Sequence, residues 1–92
     1  MKNWINKWRA KWRNEFIETL RAKYAEAAGK IAETQVLLEY AELRLETIDA
    51  KLFWFQWENA MQRRADLKEQ LAYWTGMAGK YQNQIEAVGG AA

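Results

Sequence analysis

Apolar residues recur at alternating steps of three and four along most of this chain. The first such series contains Tyr24, Ala27, Ile31, Thr34, Leu38, Ala41, Leu45, Ile48, Leu52 and Phe55. These residues occupy the a and d positions of consecutive heptads, the spacing that lets one α-helix pack along another. The chain has no proline and only five glycines in 92 residues, so little in it interrupts a helix. The pattern therefore predicts an all-α, coiled-coil-like fold.

A second heptad series follows in a shifted register. Its members are Trp57, Ala60, Arg64, Leu67, Leu71, Trp74, Ala78, Tyr81, Ile85 and Val88. The slip between the two series predicts a chain reversal within 53–60, centred near Gln56. We expect a single helical domain built as a long antiparallel hairpin, with helix 1 over about 3–54, helix 2 over about 59–88 and a short flexible tail over 89–92.

A turn near Gln56 also predicts which residues face each other. Their numbers would sum to about 112, which places Leu38 opposite Trp74. Arg64 is the one charged residue of the second series. We expect its guanidinium to reach Asp49 or Glu46 across the seam, while its stem covers apolar surface.

The N-terminal quarter has a different spacing, because large apolar residues open every tetrad from Trp4 to Tyr24. On a helix such residues stay adjacent but drift by roughly 40° per step, so they form a winding ridge. The predicted hairpin leaves this ridge without a partner helix, and tryptophan is the residue most enriched at binding hot spots. We predict a docking surface made of Trp4, Ile5, Trp8, Trp12, Phe16 and Leu20.

The ridge can be covered in two ways, and the sequence leaves both open. Helix 1 can break at Gly29 and fold back, which gives a three-helix unit. Alternatively, the long hairpin self-associates through a second interaction face on the side of helix 1 opposite the first seam. That predicted face includes Val36, Tyr40, Leu43, Trp54 and Trp57.

The formal charge of +2 conceals an asymmetry along the chain. Residues 1–13 have five basic and no acidic side chains, whereas residues 14–49 have four basic and eight acidic ones. We expect the basic group to steer a negatively charged partner, and the acidic stretch of a second copy is one candidate. The steering residues are Lys2, Lys7, Arg9, Lys11 and Arg13.

The composition argues against catalysis, because the chain has no histidine, cysteine or serine. Imidazole bases, thiolate or serine nucleophiles and Cys/His zinc sites are therefore excluded. Glu39, Glu42 and Glu46 have the helical spacing of metal ligands in bundle enzymes, but those sites also need histidine. We expect a solvated acidic face, no metal, no cofactor and no enzymatic activity.

The function predicted best is protein–protein interaction or assembly, as an adaptor, inhibitor or structural subunit. The partner is another protein or the chain itself, so a homo-oligomer is expected. The alternative is a peripheral protein on an anionic membrane, because the apolar arc within 3–20 is bordered by basic residues, although Glu15 projects into that arc. Nucleic acid is the least favoured partner, since no recognition motif accompanies the basic residues.

Two observations bear on localisation. The longest stretch without a charge, Gln70 to Gly79, is ten residues, about half of what a membrane-spanning helix needs. The first residues also lack the apolar run of a signal peptide. The default expectation is a cytoplasmic protein.

Overall fold

The computed structural model describes residues 2–89 and consists of two helices. Helix α1 spans Lys2–Thr47 and helix α2 spans Trp54–Ala87, and the two pack along each other as an antiparallel hairpin. The rod measures 78 × 15 × 14 Å. Two straight parallel cylinders would be much thinner in one direction, so the pair twists or bends along its length. The predicted all-α long hairpin is confirmed; most of the predicted tail lies outside the described residues.

Helix α1 passes through Gly29 without a break. Among the described residues, the left-handed conformation that commonly ends a helix occurs at Gly89, where φ is +84°, and not at Gly29. A glycine inside a helix costs only about 1 kcal/mol, which the packing against α2 outweighs. The three-helix alternative is therefore wrong.

The chain reverses over residues 48–53, earlier than the predicted window of 53–60. Asp49 closes this turn: its Oδ1 accepts a hydrogen bond from the amide of Lys51 at 3.0 Å, and its carbonyl oxygen accepts one from the amide of Phe53 at 2.8 Å. An aspartate that bonds the backbone two residues ahead forms a turn without glycine or proline. Leu52 and Phe55, predicted as seam residues, are consequently exposed outside the hairpin core.

The rest of both heptad series is confirmed by burial. Every seam residue from Tyr24 to Ile48 and from Trp57 to Val88 is buried or half-buried. Buried positions include many small residues, which bring the two backbones close together. They are Ala27, Thr34, Ala41, Ala60 and Ala78. Thr34 satisfies its hydroxyl inside its own helix by donating to the carbonyl oxygen of Lys30 at 2.6 Å.

The earlier turn changes which residues of α1 and α2 are level with each other, that is, which lie at the same height along the hairpin axis. With the loop centred between Thr47 and Trp54, level residues have numbers that sum to about 101, and the predicted sum of about 112 is wrong. Ala27, not Leu38, is level with Trp74. A small residue still opposes a large one at this level, but the partners differ from those predicted.

Arg64 is half-buried in the seam, as predicted, but its predicted partners are too far along the hairpin. Its level on α1 is near Leu37, more than two helical turns before Glu46. The guanidinium Nη2 instead lies 3.3 Å from the sulfur of Met61, a weak acceptor on the same helix.

Candidate functional site: the exposed tryptophan ridge

Helix α1 extends beyond the end of α2. It has 46 residues against 34 in α2, which corresponds to an overhang of about 18 Å. Ala87, the last residue of α2, is level with about residue 14 of α1. The first turns of α1 therefore have no neighbouring helix within the part of the chain that the structure describes.

Five large apolar side chains project from this end of α1, with exposed fractions between 41% and 71%. Two of them touch, since the ring centroids of Trp8 and Trp12 are 5.3 Å apart with the planes inclined by 55°. Aromatic pairs at this separation attract each other, which helps to keep both rings on one face. We call the five residues the tryptophan ridge: Trp4, Ile5, Trp8, Trp12 and Phe16.

Leu20, the sixth predicted docking residue, is not part of this surface. It is 5% exposed, and Ile17 beside it is half-buried, because the earlier turn lets α2 reach them. These two residues continue the seam of Tyr24 and Ala27 by one heptad. The positions seven and fourteen residues before Ile17 and Leu20 are occupied only by small or polar residues, namely Ala10, Arg13, Asn3 and Asn6. The tryptophan ridge is therefore a separate surface and not an uncovered end of the core.

The ridge shares the outer side of α1 with a second group of exposed apolar residues, which we call the outer patch: Val36, Tyr40 and Leu43. Trp8 is 28 residues from Val36, and Trp12 is 28 residues from Tyr40. Residues four heptads apart keep the same position relative to the seam. The ridge and the outer patch therefore lie on the same side of the rod, opposite α2 and about 42 Å apart.

The predicted second face does not continue past the outer patch. Trp54 and Trp57 were assigned to it because they continue its spacing of threes and fours, but both belong to α2. Trp54 is exposed beside the turn, whereas Trp57 is half-buried in the α2 seam.

Basic side chains surround the ridge. Lys7, Arg9, Lys11 and Arg13 are all exposed, and no acidic residue precedes Glu15. The side chain of Lys2, the fifth predicted steering residue, lies outside the described part. The helix N-terminus adds partial positive charge to this end. The surface is thus both apolar and electropositive.

The acidic residues of α1 lie toward the other end of the helix. Glu39, Glu42 and Glu46 are all exposed, as expected for a solvated face. In residues 2–89, no group of three or more carboxylates is placed to hold a metal ion.

A groove of about 350 Å³ opens between the helices near the turn. It exists because Ala41 and Ala60, both small, lie at the same level of the hairpin and leave space between the backbones. The groove was not predicted from the sequence, since the wrong turn position separated these two alanines. Its other lining residues are Leu37, Tyr40, Arg44, Gln56, Asn59 and Arg63.

An exposed aromatic cluster at the turn was also not predicted. Phe53, Trp54 and Phe55 are exposed, and the rings of Trp54 and Phe55 have centroids 4.8 Å apart. Their run of large apolar residues was visible in the sequence, but the predicted helix boundary assigned part of it to the core.

Neither described helix contains an apolar stretch sufficient to cross a membrane. Comparisons of the chain with protein-family models, with curated proteins and with solved structures give no match.

Proposed function

We propose that this protein is a non-enzymatic assembly or adaptor protein that docks onto a protein surface through the tryptophan ridge. The observation that supports the proposal most directly is the exposure of five large apolar side chains near the start of α1, four of them on an overhang that α2 does not reach. A contiguous apolar surface of this kind is typical of an interaction site, since a soluble monomer rarely leaves one in water.

The composition of the ridge supports a protein partner. Three tryptophans supply large, rigid contact area with little side-chain entropy to lose, as in interface hot spots. Lys7, Arg9 and Lys11 stand around them and would accelerate encounter with an acidic surface. Because the ridge contributes nothing to the hairpin core, it is free to make contacts without unfolding the protein.

Site-specific photo-crosslinking tests this proposal. Trp8 is replaced by benzoyl-phenylalanine in cells that express the protein naturally, and the adducts are identified by mass spectrometry. A matched control carries the same group at Tyr73, an exposed aromatic of α2. We expect a discrete protein adduct, including one with the chain itself, at Trp8 and not at Tyr73. Equal labelling at the two positions would refute a docking role for the ridge.

A second candidate, binding to an anionic membrane surface, is favoured by the basic residues along both edges of the apolar arc. Two observations weigh against it: Glu15 is exposed within the arc, and α1 is continuous, so a buried ridge would hold the whole rod flat on the lipid. Co-sedimentation with vesicles of mixed anionic and neutral lipid tests it. Salt-sensitive binding that Trp8→Ala/Trp12→Ala abolishes would support the membrane function over protein docking.

A further inference from the structure

The outer side of α1 has opposite charges at its two ends. Lys7 and Lys11 are exposed near the N-terminus, in a stretch without acidic residues. Residues 39–49 contain four acidic side chains and one basic one, Arg44. The outer patch lies among these acids just as the tryptophan ridge lies among the bases. Each end is therefore an apolar patch bordered by charge, and the two charges are complementary.

Between these ends, the outer side of α1 has several small residues. Ala22, Ala25 and Gly29 are exposed there, together with Glu26, which shares the heptad position of Trp12 and Tyr40. The distance at which two helices pack depends on the side chains at the contact, so small residues in the middle let a second helix approach closely. Ala22, Ala25 and Gly29 thus leave room for a neighbouring helix near the midpoint of the surface.

We propose that the partner of the tryptophan ridge is a second copy of this chain, paired through the outer sides of the two α1 helices in an antiparallel, two-fold arrangement. The inference rests on the proposed function and names its partner. The symmetry axis passes near Ala25, so level residues of the two copies have numbers that sum to about 51. The ridge of each copy then covers the outer patch of the other.

One register satisfies the apolar and the charged contacts together. In an antiparallel pair with two-fold symmetry, a residue meets the partner's residue of the same heptad position on the same side. Trp12 and Tyr40 share one heptad position, and Lys11 and Glu39 share another. Both pairs are also level in this register. Aromatic contacts and opposite charges therefore coincide without any further adjustment.

The charges select the antiparallel arrangement over a parallel one. A parallel pair would place the basic ends against each other and leave the outer patches without tryptophan cover. Like charges in contact across an interface disfavour that arrangement strongly. The antiparallel pair also leaves the turn aromatics free, and it meets the groove at Tyr40, which both lines the groove and belongs to the outer patch.

The test combines molar mass with cysteine cross-linking, which is clean because the chain has no cysteine of its own. Light scattering should give twice the 10.9 kDa of the chain. A mixture of Lys11→Cys and Glu39→Cys proteins should cross-link through a short bis-maleimide. Neither variant alone should do so, since like residues would be about 42 Å apart. Glu69→Cys, exposed on α2, replaces Glu39→Cys in the control mixture.

Charge reversal gives a second measurement. Lys7→Glu/Lys11→Glu should raise the Kd for self-association at least about tenfold, and mixing it with Glu39→Lys/Glu42→Lys should restore the dimer. Lys68→Glu/Lys80→Glu makes the same change in net charge on exposed α2 positions and should leave the dimer unchanged.

The outcomes separate this inference from the proposed function. A monomer at every concentration, or a Lys11→Cys protein that cross-links with itself, overturns the antiparallel dimer. In that case, photo-crosslinking at Trp8 still tests whether the ridge docks onto a different protein. A dimer that forms unchanged in Trp8→Ala/Trp12→Ala overturns the inference and removes the ridge from assembly as well.

Discussion

Phe16 and Leu20 lie one helical turn apart on α1, yet Phe16 is 50% exposed and Leu20 is 5% exposed. The boundary between the tryptophan ridge and the hairpin core falls between them. Helix α2 runs past both residues, but Leu20 continues the heptad seam and faces α2, while Phe16 projects to one side of that seam. One short stretch of helix thus contains residues of both surfaces.

This boundary predicts opposite outcomes for two similar truncations. Leu20→Ala should lower the free energy of unfolding by about 2–4 kcal/mol, since it removes buried methyl groups and leaves a cavity. Phe16→Ala should change it by no more than about 0.5 kcal/mol. Urea denaturation at low protein concentration measures both. Equal losses would mean that Phe16 belongs to the folded core.

The turn depends on the side chain of Asp49, which accepts the amide of Lys51 at 3.0 Å. We expect Asp49→Ala to destabilise the hairpin by about 0.5–1.5 kcal/mol, the usual net value of one such hydrogen bond. Asp49→Asn keeps an acceptor oxygen in the same place and should retain most of the stability. Thermal unfolding of the two variants compares them. Similar melting temperatures for both variants would show that the turn does not rely on this bond.

The turn also explains how far the sequence could predict the structure. The two seams could be predicted because apolar residues at heptad spacing are buried along the whole length of a helix pair. The position of the turn could not be predicted, because the turn depends on one aspartate and no glycine or proline marks it. Moving the turn centre by about five or six residues shifts the end of α2 along α1 by about twice that amount.

That shift accounts for what was right and wrong about the candidate site. The ridge from Trp4 to Phe16 was expected to be outside the hairpin, and it is exposed in the structure. Leu20 was assigned to the same surface because the predicted α2 ended opposite Tyr24. The groove between Ala41 and Ala60 could not be found at all from the wrong pairing.

Arg64 offers a test of the energetic cost of a charge in the seam. Its guanidinium is half-buried beside the weak sulfur acceptor of Met61. Arg64→Leu should raise the melting temperature by several degrees, since apolar contact replaces a partly desolvated charge. Arg63→Leu is the matched control on an exposed neighbour and should have little effect. Calorimetry that shows Arg64→Leu to be less stable than the wild type would indicate that the guanidinium makes a favourable seam contact.

Three glycines test whether α1 is continuous in solution. Gly29 and Gly76 lie inside helices, and a Cβ atom added at either would meet no other atom within 4 Å. Gly29→Ala and Gly76→Ala should therefore each stabilise the hairpin by about 0.5–1 kcal/mol. Gly89 has a φ of +84° after the end of α2, so Gly89→Ala should give no gain, because alanine is strained in that conformation.

Denaturation of the three alanine variants, with hydrogen exchange across residues 25–33, makes the comparison. If both helices are uninterrupted, Gly29→Ala and Gly76→Ala should raise the free energy of unfolding by similar amounts. If Gly29→Ala instead destabilised the protein while Gly76→Ala stabilised it, Gly29 would be a break or hinge in solution, and a folded-back N-terminal helix would again account for the tryptophan ridge.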